Sequence, residues 1–108
     1  MPTADKLYDE AIELQQAGKL EEAVGKLEEL TAAHPDYALG YSGLSVFCEK
    51  LGRHEEAVRY AEKVCDLEPD DPFSFMSLSL ICQRAGLIPE AEKAMGQAME
   101  KQWSKQRP

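Results

Sequence analysis

Three sets of small residues recur along this chain, without a gap, at a step of 34: Gly18, Gly52 and Gly86; Ala23, Ala57 and Ala91; Ala11, Ser45 and Ser79. Pro35 and Pro69 keep the same step, as do Leu44 with Leu78 and Cys48 with Cys82. A fixed period of this length marks a supersecondary unit repeated by stacking, because one unit alone cannot cover its own apolar face. The 108 residues form a single domain of three such units, at about 4–37, 38–71 and 72–105.

Within each unit the residues spell helices. After Gly18, apolar residues return at three- and four-residue steps as Ala23, Leu27, Leu30 and Ala33, and after Gly52 as Ala57, Ala61, Val64 and Leu67. The three glycines follow apolar-periodic segments and suit a left-handed residue just past a helix end, so they are turns and not phosphate loops. Asp71 before Pro72 reads as a helix cap followed by a first-turn proline, and Pro89 suits the start of the last helix. The pairs Glu21–Glu22 and Glu55–Glu56 stand where second helices begin and favour the positive end of the helix dipole. The expectation is all-α, six helices in three antiparallel pairs.

In its period, and in carrying glycine, alanine and proline at the fifteenth, twentieth and thirty-second positions of the unit, the chain resembles the tetratricopeptide repeat family. It departs at Glu10, where that pattern has leucine, at Leu14, Cys48 and Cys82, where it often has tyrosine, and at Trp103, where a third proline belongs. The resemblance implies a right-handed superhelical array of three helix-turn-helix hairpins, with Ala11, Ser45 and Ser79 meeting Ala23, Ala57 and Ala91 inside the hairpins. It implies a protein that binds another protein and catalyses nothing.

The resemblance also implies which residues line the concave face. They include Tyr8, Ile12, Leu39, Val46, Phe73, Met76 and Leu80, an apolar stripe across all three units, with Gln15, Glu49, Lys50, Gln83 and Arg84 along one rim. Such a stripe fits an amphipathic helix or an extended apolar peptide, unless part of it belongs to the core. Known ligands of the family include the acidic carboxyl-terminal tails of heat-shock chaperones, held by cationic and amide side chains. The matching positions here are Tyr8, Ile12, Gly43, Phe73 and Ser77, none of which carries a positive charge, so acidic tails are not expected as partners.

The stretch GYSGLSVF, residues 40–47, sits inside a helix although glycine there costs about 1 kcal/mol relative to alanine. Gly43 falls at a position that in the family tends to face the groove. Two readings follow: a gap that admits a ligand against the groove floor, or a tolerated glycine without a role.

On the last helix Met95, Met99 and Trp103 form a stripe at four-residue spacing. They either pack inward as core or form a surface for self-association into a homo-oligomer. Residues 1–37 hold nine acidic and three basic groups, 38–71 eight and four, and 72–108 three and five, so a head-to-tail contact would join opposite charges. Val24 with Ala33, and Val58 with Leu67, are expected to face the following unit. Glu92 and Lys101 replace them in the last, as suits a repeat that ends an array.

The net charge of −8 lacks the basic face that phosphate binding requires, and argues against nucleic acid. No apolar run has the length of a signal or a membrane span. Three widely spaced cysteines suit free thiols in a reducing compartment, and a cytoplasmic location is expected. His34 and His54 lack metal spacing with a cysteine, so no cofactor is expected, and a Cys48–His54 nucleophile lacks a third group to orient it.

Overall fold

The structure is a computed structural model that describes residues 3–107. Its six helices are α1 (Ala4–Gln16), α2 (Leu20–Ala33), α3 (Ala38–Lys50), α4 (His54–Leu67), α5 (Pro72–Arg84) and α6 (Ile88–Gln106). Successive helices pack on one another as three hairpins, and α2 meets α3 and α4 meets α5 between hairpins. The described residues thus form an all-α repeat array, 43 × 32 × 21 Å in extent.

Each hairpin turns by the same device. Gly18, Gly52 and Gly86 have φ of 81°, 79° and 79°, a region L-residues with a side chain avoid. The amide of each next residue then reaches back to the carbonyl of Leu14, Cys48 or Cys82, at 2.8 Å in all three turns. That bond closes the exposed end of each first helix, the six-to-one link of a Schellman motif. Asp71 caps α5, its carboxylate accepting the Phe73 amide at 3.0 Å.

Inside the hairpins the small residues meet as expected, and two of them bond as well. The buried Ser45 hydroxyl donates to the Ala57 carbonyl at 3.0 Å, and that of Ser79 to the Ala91 carbonyl at 2.8 Å. Glu10 finds its partner on α2, where Lys26 Nζ lies 3.3 Å from its carboxylate. The main core gathers Leu7, Leu27, Leu30, Leu44, Phe47 and Ile81 with the small residues of the hairpins. A second, smaller cluster joins Cys65, Phe75 and Ala98.

Three expectations need correction. Gly43 does not open the groove: it is buried, and a Cβ there would lie 2.8 Å from Leu27 Cδ1. At Gly40 a Cβ would come within 2.9 Å of both Leu30 and Thr31. The two glycines let α3 lie close against α2, which offsets their cost in helix propensity. The Met95, Met99 and Trp103 stripe is not core either, with exposures of 38%, 62% and 62%. The inner face of α6 is instead made by the buried Ala91, Ala94 and Ala98. Ala33 is likewise exposed, while Val24 is buried as expected.

Candidate functional site

α3 and α5 run side by side along one face of the array, with α4 behind them. Between them lies an open cavity of about 270 Å³. Leu39 and Val46 flank it from α3, Phe73 and Leu80 from α5, while Ala61 and Val64 of α4 help to line it. The four flanking side chains are among the large apolar residues left exposed, at 53%, 44%, 72% and 46% respectively.

The position of this cavity follows from one exchange in the repeat. Leu27 of α2 presses on Gly43 and fills the contact between the first two hairpins. One period later, Ala61 stands in place of Leu27, and Ser77 in place of Gly43. The shorter Ala61 leaves space that Ser77 does not fill, and both residues line the opening. Comparing the two contacts position by position would have located the groove from sequence. Counting only first-helix residues missed Ala61 and Val64.

Of the residues expected in the groove, the structure brings together Leu39, Val46, Phe73 and Leu80. Tyr8 and Ile12 pack against the main core, and Met76 against the smaller cluster. Gly43 lies beneath the helix surface beside Tyr8, whose ring comes 3.8 Å from the position of the missing Cβ. Tyr8 is held there by a neighbour that sequence reading overlooked. The Tyr37 ring lies 6.3 Å away, centroid to centroid, and its hydroxyl donates to Asp5 at 2.7 Å. That bond pushes the Tyr37 hydroxyl up to about 12, since ionising it would set two negative charges together.

Charge is unevenly placed along the groove. Glu68 and Asp71 line it near the start of α5, and Arg84 near its end. The 13 residues of α5 span about 20 Å, so the groove is acidic at one end, basic at the other and apolar between.

No cysteine or histidine lines the groove. The three buried thiols are all pushed up by burial, Cys65 to about 11, which keeps them protonated and weakly nucleophilic. His54 bonds not to Cys48 but to Glu49, at 2.7 Å, on the exposed edge of the second hairpin. Among the described residues no three His, Cys, Asp or Glu side chains gather as metal ligands, and no helix is long and apolar enough to cross a membrane.

The sequence matches the family model of the tetratricopeptide repeat over residues 8–72. Among solved structures, a crystal structure of MamA superposes with a TM-score of 0.86 at 25% identity, over 95% of this chain and 60% of that one. The type III secretion translocator chaperone SycD of Yersinia enterocolitica superposes with a TM-score of 0.81 at 21% identity, over 91% of this chain and 74% of that one. The second repeat domain of Spaghetti (RPAP3), bound to the HSP90 peptide SRMEEVD, gives 0.80 at 20% identity, over 90% of each chain. At these last two identities the likeness is one of fold. The chain spans about 60% of the length of the MamA structure. No curated protein matches the sequence.

Proposed function

The chain belongs to the tetratricopeptide repeat family, and from that premise we propose that it is a non-catalytic protein-interaction module whose groove takes an apolar peptide or the apolar face of an amphipathic helix. The observation that carries this reading is the ring of Leu39, Val46, Phe73 and Leu80, four exposed apolar side chains around one cavity. Exposed apolar patches rimmed by charge are a usual mark of interaction sites. The partner chemistry follows from the ends of the groove: a basic residue toward Glu68 and Asp71, an acidic one toward Arg84, and apolar residues between.

Removing about 500 Å² of apolar surface from water would gain roughly 12 kcal/mol. Association and ordering costs of about 4–15 kcal/mol leave affinity in the micromolar range. The acidic tail bound by Spaghetti is a poor fit, because the positions that would clamp it here are Tyr8, Ile12, Gly43, Phe73 and Ser77.

Selection of a displayed peptide library on the purified protein tests the reading. Enriched sequences should be apolar with a basic flank, and Phe73→Glu should abolish their binding. Indifference of the selected peptides to Phe73→Glu would refute it. Self-association has its own support in the exposure of Met95, Met99 and Trp103. A head-to-tail contact in the register of the repeat, however, would set Lys6, Asp9 and Glu13 of α1 against those side chains, which disfavours it.

A further inference from the structure

α6 leaves bare the face that α2 and α4 bury. One period apart, Leu27, Ala61 and Met95 share one position of the unit, and Thr31, Cys65 and Met99 another. Leu27 and Ala61 are covered by the hairpin that follows, at 0% and 2% exposure, whereas Met95 and Met99 stand at 38% and 62%. Pro35 and Pro69 follow the ends of α2 and α4, but Trp103 takes their place in the third unit. The helix therefore continues to Gln106 and carries Trp103, 62% exposed, one turn beyond Met99. Gly96 lies next to Met95 and one turn before Met99. Nothing comes within 4 Å of the Cβ it lacks, so no contact inside the described chain accounts for a glycine there.

We propose that this face of α6 is a second docking surface, separate from the groove, which captures one helix of another protein as α2 captures α3 and α4 captures α5. The face continues the interface already formed between the hairpins, and that continuity states the chemistry of its occupant. α3 carries Gly40, Gly43, Leu44 and Phe47 toward α2, and α5 carries Ser74, Ser77, Leu78 and Ile81 at the same four positions. The shared pattern is small, small three residues on, leucine next, and a large apolar residue three further. Leu27 is tolerated because glycine faces it, and Met95 is as large. The captured helix therefore carries glycine at the second small position.

The α1 helix of a second copy does not match that pattern. At the four matching positions α1 has Lys6, Asp9, Glu10 and Glu13, a charged face whose carboxylates would lose hydration against the methionines. The surface selects against α1 and for an uncharged, small-residue helix face. It does not depend on the groove reading, since it shares none of the four residues around the cavity.

The chain has one tryptophan, and it reports on this surface. The probe is a synthetic peptide of residues 37–51, the α3 sequence with Cys48→Ser, titrated into the intact protein. The expected result is a saturable blue shift of Trp103 emission with half-saturation at about 0.1 mM, in keeping with a short helix that must order as it binds. Met99→Glu should weaken binding at least tenfold with the far-ultraviolet circular dichroism unchanged, and Phe73→Glu should leave it alone. A peptide with Gly43→Leu, a better helix former, should bind at least tenfold more weakly. The proposal is overturned by no shift at millimolar peptide, by equal binding of the Gly43→Leu peptide, or by a response lost in Phe73→Glu and kept in Met99→Glu. A concentration-dependent dimer that forms without peptide and dissolves in Met99→Glu also overturns it, by giving the surface to a second copy.

Discussion

Gly43 and Leu27 face each other across the contact between α2 and α3 so closely that a Cβ on the glycine would lie 2.8 Å from Leu27 Cδ1. Leu27 is fully buried, with little space to yield. Gly43→Ala should therefore lose about 1 kcal/mol of stability, since overpacking costs of about 1–3 kcal/mol exceed the gain of about 1 kcal/mol in helix propensity. In a Leu27→Ala background the same change should become stabilising. Urea denaturation of the four proteins measures this coupling, and additivity would mean that the two residues do not press on each other.

Ser45 and Ser79 donate buried hydrogen bonds to carbonyls of the partner helix in their hairpins. Ser79→Ala and Ser45→Ala should each cost about 1 kcal/mol in the same assay, because the carbonyls keep their helical partners and only the side-chain bond is lost. A loss of 3 kcal/mol or more from either would point to a packing role beyond the hydroxyl.

The all-α array was legible in the sequence because its cause is periodic: three glycines at one step, each forced to positive φ by the same turn. The orientation of Gly43 was not. It was assigned from the usual habit of its position, and the local contact with Leu27, sixteen residues earlier, decides otherwise. The stripe on α6 has the spacing of a core face, and its pattern alone does not reveal that no hairpin covers it. The bond from Tyr37 to Asp5 spans 32 residues and left no local signal. Half of the groove was legible, as Leu39, Val46, Phe73 and Leu80, while Tyr8, Ile12 and Met76 turned out to be packed against neighbours.

Stability should fall in alkali. Cys65 is raised from 9.0 to about 11 by burial, and Tyr37 from 10.0 to about 12 by its bond to Asp5. Both groups hold their protons in the folded chain at pH values where the unfolded chain has lost them. Their contribution is therefore intact below pH 9 and declines as pH rises from there toward 12. The urea midpoint, followed from pH 8 to 11, should drop above 9, and Tyr37→Phe should flatten the upper part of that decline. A midpoint that stays constant or rises would contradict these shifts.

The peptide SRMEEVD, titrated by calorimetry at low salt, should give no measurable heat of binding up to millimolar concentration. The positions that would meet its carboxylates hold Tyr8, Ile12, Gly43, Phe73 and Ser77. Micromolar binding would mean that cations elsewhere on the concave face converge on it.

Groove binding is tested most directly by amide chemical-shift mapping with a peptide selected on the intact protein. Saturable shifts are expected at Leu39, Val46, Ala61, Phe73 and Leu80, on both walls and the floor of the cavity between the second and third hairpins. Shifts confined to α1, to α6 or to the outer faces of the second helices would contradict it and place the principal interaction site elsewhere.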